Sequence, residues 1–322
     1  MGFIKGYMPF IFYQKYDILT IGGNMKSLIR NILGIVLLVL LIYIAYGTEI
    51  EDCLKKDEKH ENVVLNDKED FKIYYIDVGE ADCTLIKNNN EYVLIDAGNN
   101  QDGLKLVEYF KSLGITKFKY VIGTHLHEDH IGGMDYIIKN FDIEHYYMPD
   151  VTSEYMTFTE VVDSLKEKDI KWEVPEIDST FNIGEAKFTV LWISKDEEEI
   201  NDTSIVLKLD FKNTSYLFTG DATKNVELKI LEKDIKSDVL KVSHHGSSDA
   251  SSAQFLKLVE PKYAIISVAK INDYHHPHDI TLKKLNELNI KTYRTDKDGT
   301  IVVSSDGENY YFETIKTDTN NE

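Results

Sequence analysis

Ten consecutive residues, Thr124–Gly133 (THLHEDHIGG), hold three histidines and two carboxylates, His125, His127, Glu128, Asp129 and His130, directly after the apolar run Tyr120–Ile122. In a strand or an extended turn side chains alternate with a period of two, so His125 and His127 project to the same side and converge on one point. Asp129 and His130 come where the chain must turn, because Gly132 and Gly133 permit backbone angles that other residues resist. They can therefore face a second, nearby point. This is a layout for two metal ions, and HxHxDH after a strand is far sharper than a lone histidine in a polar loop.

The rest of the chain reads as interleaved strands and helices. FKIYYIDV (71–78), CTLI (83–86) and EYVLIDAG (91–98) are strand patterns, with NNNE between the last two as a hairpin turn. Apolar spacing at Leu104, Val107 and Phe110 predicts a helix over 103–113, and Lys119–Ile122 is the strand that delivers the histidine loop. Further helices are expected over 134–139, 153–168, 224–233, 250–259 and 280–288. Strands are expected over 143–148, 187–193, 204–211, 215–218, 239–242, 263–268, 300–303 and 310–313. The acidic segment 195–202 is a loop at the halfway mark. Two mixed sheets covered by helices follow from this rhythm.

Two other strand ends carry reactive groups. Asp221 (in FTGDA) closes an apolar strand beside Gly220, where an ionised carboxylate is costly unless it meets a cation. Capping the helix that starts at Lys224 is the alternative for it. His244 and His245 (in KVSHHGSS) close another strand. Adjacent strand residues face opposite ways, so only one can easily ligate. His245 is expected as the ligand and His244 as proton donor or substrate contact, with the reverse still open.

In this order, YYIDVGEADCTLI (74–86), LIDAG (94–98), THLHEDHIGG, FTGDA (218–222), KVSHHGSS (241–248) and NDYHHPHD (272–279) resemble the metallo-β-lactamase superfamily. More narrowly they look like the soluble hydrolase domain of ComEC-type DNA-uptake proteins, over residues 71–315. The resemblance implies an α/β fold, the four-layer αββα sandwich, with two divalent ions, zinc or manganese, at the edge between the sheets. It implies His125, His127, Asp129, His130, Asp221 and His245 as metal ligands, with Asp221 bridging. It also implies Asp129, His244 and His276 as catalytic residues, His276 assisting the leaving group. Where the family pattern has glycine this chain has His275, and Glu80 and Ala81 replace glycines beside Asp82. Asp82 is read as an active-site loop residue or a turn cap, and Asp96 as orienting the metal loop. His275 and His278 are read as surface histidines. The family's third histidine for the first metal site is missing. His145 lies in the wrong strand, and Asn201 or Asp202 falls at about the right place, a harder oxygen ligand that would favour manganese or magnesium.

Charge limits the partners. Residues 1–47 carry a net +3, so the remainder carries −22 within a chain total of −19. A domain this acidic is no general polyanion binder, and a nucleic-acid substrate would need the metals or a local basic strip, with Lys241, Lys270, Lys283 and Lys284 as candidates. Residues 31–48 carry no charge and follow Lys26 and Arg30, so residues 25–47 are expected to be a signal anchor or signal peptide that leaves the rest outside the cytoplasm. Met25 is expected to be the initiator, leaving 1–24 untranslated. Residues 48–70, with nine acidic and four basic residues, are an acidic flexible tether, and 316–322 a polar tail. Cys83, within an apolar strand, is expected as a buried free thiol. No GxSxG, P-loop or dinucleotide fingerprint occurs, so no nucleotide cofactor is expected.

The expected function is a metal-dependent phosphodiesterase or nuclease using a metal-bound hydroxide. Its phosphodiester substrate is DNA or a cell-surface polymer, and its membrane contact is through the N-terminal helix. The alternatives are a non-catalytic surface module, for which the missing histidine speaks, and a hydrolase of a non-phosphate ester or lactam.

Overall fold

The computed structural model describes residues 71–316. The expectations for residues 1–70, and for the tail beyond 316, lie outside the described residues. Within them, no helix is long and apolar enough to cross a membrane.

Among the described residues, fifteen strands and eight short helices alternate. The first half contains β1 (Phe71–Tyr75), β2 (Thr84–Asn88), β3 (Glu91–Ile95), α1 (Gly103–Ser112), β4 (Lys117–Ile122), α2 (Glu128–Ile131), α3 (Met134–Asn140), β5 (Asp142–Tyr147), α4 (Met156–Glu167) and β6 (Trp172–Glu173). The second contains β7 (Thr180–Ile183), β8 (Ala186–Trp192), β9 (Val206–Phe211), β10 (Thr214–Phe218), α5 (Lys224–Ile230), β11 (Val239–Lys241), α6 (Ala253–Val259), β12 (Tyr263–Ile266), α7 (Asp279–Glu287), β13 (Lys291–Arg294) and α8 (Thr295–Asp298), before β14 (Thr300–Ser305) and β15 (Tyr310–Ile315). They form an eight-stranded sheet, β15-β14-β1-β2-β3-β4-β5-β6, and a seven-stranded sheet, β13-β12-β11-β10-β9-β8-β7.

Alternation along the strands builds three apolar layers. Phe71, Ile73, Tyr75, Ile86, Val93 and Ile95 meet Phe188, Val190, Leu207 and Leu209 between the sheets. Leu85, Leu94 and Val121 point the other way, onto Leu106, Phe110, Ile137 and Val161 of the covering helices. On the far side Leu217 and Leu240 pack against Val226, Ile230, Phe255 and Leu285. Central strands buried on both faces are the expected outcome of helices covering each sheet. The order of layers is therefore helices, sheet, sheet, helices, as the sequence implied.

The differences from expectation are local. In α1 Leu106 is buried and Leu104 is 57 % exposed, because the buried stripe runs through 106, 107 and 110. The helix expected from 153 begins at Met156 and the one from 250 at Ala253, the latter at a Ser252 cap that accepts the Phe255 N–H. The strands β6, β7 and β13 are two to four residues long and polar at alternate positions, too short for a periodic signal. Cys83 is a buried free thiol, and burial raises its pKa.

The two glycines after the histidine loop serve a different purpose from the one expected. Gly132 and Gly133 have φ of −57° and −85°, which any residue adopts. Their role is close approach: a Cβ on Gly132 would press on the backbone of Asn99 and Asn100 and on the Glu128 carbonyl. By contrast Gly114 has φ +76° and open space around its Cβ position. Gly132→Ala should destabilise by at least about 3 kcal/mol through backbone displacement, and Gly114→Ala by only about 1–2 kcal/mol through left-handed strain. Denaturant unfolding of the two variants checks the order, and the reverse order would refute the packing role.

Candidate metal centre

The site begins where two parallel strands end. Ile95 of β3 pairs with Ile122 of β4, so the residues just beyond them, Asp96 and the Gly123–His125 segment, are neighbours. Asp96 adopts φ +58° and turns its buried carboxylate under the loop. It accepts the Thr124 N–H at 2.8 Å, the Thr124 hydroxyl at 2.8 Å and His130 Nδ1 at 2.8 Å. The loop is tied further by Glu128, which accepts the Asn100 N–H, and by the His130 carbonyl, which accepts the Ala97 N–H. His127 caps the short helix α2, on which Asp129 and His130 sit.

The histidines converge as the alternation predicted, with His125 Nε2 3.1 Å from His127 Nδ1. Asp129, His130, Asp221 and His245 present ligand atoms that all lie within 4.8 Å of one another. Asp221 is the common point. Its carboxylate lies 3.3 Å from His130 Nε2, 3.8 Å from His245 Nε2, 3.8 Å from His244 Nε2 and 3.9 Å from His125 Nε2. Each of these imidazoles has its other nitrogen beside an oxygen: Asp96 for His130, the Ser267 carbonyl for His245, Asp249 for His244, and Thr124 and Ser204 hydroxyls for His125. Such anchoring fixes the ring and turns Nε2 inward, the arrangement found around metal-ligating histidines.

His244 and His245 depart from the strand geometry expected for them. β11 ends at Lys241, and both histidines take left-handed angles, φ 49° and 50°, in a 3-10 turn. Both therefore face Asp221 and line the cleft, instead of pointing to opposite sides. The helix cap at α5 is Thr223, whose hydroxyl accepts the Asn225 N–H, so Asp221 is free of that role.

Fit to metal ions can be judged from what the buried atoms lack. His130 Nε2 and Asp221 Oδ1 are buried without a hydrogen-bond partner, although 3.3 Å apart. Unpartnered buried donors and acceptors are costly, and a divalent ion would satisfy both. Electrostatics point the same way. Burial alone would raise Asp221, but His130 and His245 hold it well below the usual carboxylate range. Burial opposes charge on His130, yet Asp221, Asp96 and Asp129 raise it well above the ordinary value. The same competition, with Asp221 the largest opposing group, raises His245 to about 9. His125 and His127 are lowered by burial, so they are neutral and ready to ligate. In the second acidic group, Asp82, Asp96 and His130, the carboxylates already have partners in the chain, although Asp82 Oδ1 is buried without a hydrogen bond. Asp82 pairs with the buried Lys241 at 2.8 Å, and Asp96 holds Thr124 and His130.

Several expectations are corrected. Asp202 does not face the centre with a free carboxylate: it accepts the Thr223 N–H and the Asn225 amide. Beside His125 stands Ser204, which accepts the Asp221 N–H. Asn201 Oδ1 is buried without a partner. Asp82 does not line the cleft but lies behind the centre, its Oδ1 3.7 Å from His245 Nδ1 and its N–H donated to the Asp129 carbonyl. His278 accepts the Ser248 N–H and is not a loose surface residue. His275 is exposed with φ 59°, so it takes the left-handed conformation that a glycine takes readily. His276 is buried, its Nδ1 3.0 Å from Glu80 Oε1, and Glu80 Oε2 accepts the Ala269 N–H. The role of Glu80 was not legible, because its partners lie 189 and 196 positions away.

The candidate basic strip is reduced at the cleft to one exposed lysine, Lys270, which lies between the cleft-lining Ala269 and Ile271. The cleft over the centre, about 1230 Å³, is lined from both halves of the fold, and neither lysine nor arginine lines it. Lys241 is buried against Asp82, and Lys284 is spent on the Ala250 and Ser251 carbonyls. Lys283 lies 3.8 Å from Glu287 on the surface.

Comparison with known proteins agrees with this geometry. The family model described as the metallo-beta-lactamase superfamily matches residues 76–270. ComE operon protein 3 of Bacillus subtilis is 30 % identical over 247 residues, covering 70 % of this chain and 32 % of the relative. Competence protein ComA of Neisseria gonorrhoeae is 26 % identical over 233 residues, covering 70 % of this chain and 31 % of the relative. The chain thus spans about a third of the length of these curated relatives. Among solved structures, the metallo-beta-lactamase fold protein YhfI from Bacillus subtilis is similar, with TM-score 0.48 and 14 % identity over 70 % of this chain and 96 % of that one. By the match of that model to more than half its length, and by the likeness to competence proteins of the ComEC-like branch, the chain belongs to the metallo-beta-lactamase superfamily.

Proposed function

We propose that this metal-dependent hydrolase is a phosphodiesterase acting outside the cytoplasm. The observation that carries the reading is the convergence on Asp221 of the His125/His127 pair and the Asp129, His130, His245 group. In it Asp221 lies within 4 Å of four imidazoles and would be the shared ligand. His125 and His127 would hold one divalent ion and Asp129, His130 and His245 another, zinc or manganese. Two such ions, when bound, activate water at neutral pH and brace the oxygens of an in-line displacement.

The chain's own residues supply the rest. His276 Nδ1 faces Glu80, which leaves Nε2 to give a proton to the departing oxygen when the ring is charged. His244, anchored by Asp249 and lining the cleft, contacts the substrate or shares that proton transfer. The uncharged run 31–48 after Lys26 and Arg30 supports export, with the membrane held by that segment or the product released. The competence relatives support DNA as substrate, while the acidity of the chain supports a cell-surface phosphodiester equally.

Cleavage of bis(p-nitrophenyl) phosphate, with zinc or manganese supplied separately, tests the reading. Turnover should vanish with chelator and in Asp221→Ala. A folded protein that binds metal and cleaves nothing would refute it. His276→Ala should cost about 10²–10⁴-fold on an alkyl phosphodiester, whose leaving oxygen needs a proton. On the p-nitrophenyl ester, whose leaving group departs unprotonated, the loss should be under about tenfold; equal losses on both esters would remove His276 from that role.

Metal uptake should be coupled to protons. In the metal-free chain His245, raised to about 9, carries a proton at neutral pH, as does His130. That protonation stabilises the metal-free fold fully below about pH 6.5, and the contribution is lost as pH rises through about 9. Ligation needs the neutral rings, so metal affinity should move the opposite way, rising from pH 6 to 9. Calorimetry in buffers of different ionisation enthalpy should find net proton release at pH 7, and none would contradict the assignment.

A further inference from the structure

The apolar rim of the cleft has no part in the chemistry above. Ile271 is 90 % exposed, Met156 74 %, Tyr274 68 % and Tyr155 58 %, and all four line this cleft. Thirteen large hydrophobic side chains are exposed among the described residues, so nearly a third of them gather at one opening. Scattered singly they would need no explanation, whereas a group at the mouth of a site marks a place where something binds.

The group comes from two places in the fold. Tyr155 and Met156 open α4 in the first half, and Ile271 and Tyr274 belong to the 269–278 loop of the second. That loop is braced: the Asn272 amide donates to the Ala269 and His276 carbonyls and accepts the His276 N–H. Tyr274 is thereby held nearly parallel to His276, with ring centres 5.5 Å apart and 19° between planes. His276 is in turn nearly parallel to His245, at 6.1 Å and 26°. A file of flat rings runs from the exposed tyrosine to the metal centre. With no lysine or arginine on the lining, only Lys270 exposed beside it, and Glu80, Glu128, Asp129 and Asp273 on it, a long run of phosphates meets far more negative than positive charge.

We infer that Tyr274 and Tyr155 form a stacking subsite that selects a short nucleotidyl phosphodiester, one or two nucleotides long or an unpaired strand end, by its bases. This rests on the phosphodiesterase reading and names its substrate class. The scissile phosphate goes to the metal centre and the adjoining base continues the file of rings at Tyr274. Ile271 and Met156 cover the apolar faces of the bases. Stacking tolerates any base because every base has a π face. A duplex interior is excluded, since its bases are paired and its phosphates meet an acidic lining.

Two esters with the same leaving group and charge decide the matter: thymidine 5′-(p-nitrophenyl) phosphate and methyl p-nitrophenyl phosphate, given to the manganese-loaded full chain. The nucleoside ester should be favoured in kcat/KM by at least about tenfold, mostly through KM. Tyr274→Ala and Tyr155→Ala should each bring that ratio toward one, and Tyr274→Phe should keep it. Both side chains are exposed, so unchanged thermal melts will show the variants folded. Equal use of the two esters by the unaltered chain overturns the subsite while leaving the phosphodiesterase reading intact. If neither ester is cleaved the phosphodiesterase reading fails, and calorimetry with thymidine alone decides the subsite. Binding weakened by Tyr274→Ala supports it, and no binding overturns it. Co-sedimentation with phosphatidylglycerol vesicles that is lost in Ile271→Ser, without any preference for the nucleoside ester, assigns the rim to a lipid surface and also overturns it.

Discussion

Everything at this centre hangs from one buried carboxylate. Asp96 receives three hydrogen bonds from the histidine loop, two from Thr124 and one from His130, each at 2.8 Å. A buried carboxylate that satisfied fewer partners would be costly, and burial does raise its pKa, against the pull of His130. The bonds are available because β3 and β4 run parallel and end together. Their shared end places a left-handed residue of one strand beneath the loop of the other. The orientation of His130 follows from that pairing.

The centre also shows how an acidic protein manages its internal charge. The chain carries −19 overall, yet at the site the carboxylates are matched by imidazoles instead of lysines. Four histidine Nε2 atoms surround Asp221, and the one buried lysine nearby, Lys241, is consumed by Asp82. Imidazolium can lose its proton to solvent near neutral pH and offer the freed nitrogen to a metal ion, whereas a lysine would keep its charge and repel the ion. A cleft built this way can concentrate cations, and the proposed phosphodiester would be held through them, with the exposed rings at the rim taking part in its recognition.

Much of the fold and part of the centre were legible in the residues. The histidine loop was legible because its members are consecutive, and strand alternation correctly predicted that His125 and His127 would meet. The layers were legible because central strands buried on both faces show as apolar runs. Where the reading failed, short elements or distant partners were responsible. The polar strands β6, β7 and β13 have too few residues to show a period, and the glycines of the loop were credited with backbone freedom when close approach was the reason, of Gly132 to Asn99 and Asn100 and of Gly133 to the Ala97 carbonyl. Asn201 or Asp202 was a candidate for the missing ligand from its place in the chain, but the Asp202 carboxylate is taken by Thr223 and Asn225, 21 and 23 positions on.

What the sequence alone determined is the set of chemical groups and their local spacing: an HxHxDH loop after a strand, an aspartate and two histidines at other strand ends, and an acidic surface with few cations to spare. What only the tertiary structure decided is how those groups are spent. It turned His244 and His245 to the same side through two left-handed residues, buried Lys241 against Asp82, placed Glu80 on His276 across 196 positions, and gathered four exposed apolar side chains at one mouth. Local spacing follows from the geometry of a single strand or turn, which the chain carries in its order. Pairings across a hundred or more residues depend on the register of two sheets and the packing of the layers around them, and no stretch of sequence contains that information by itself.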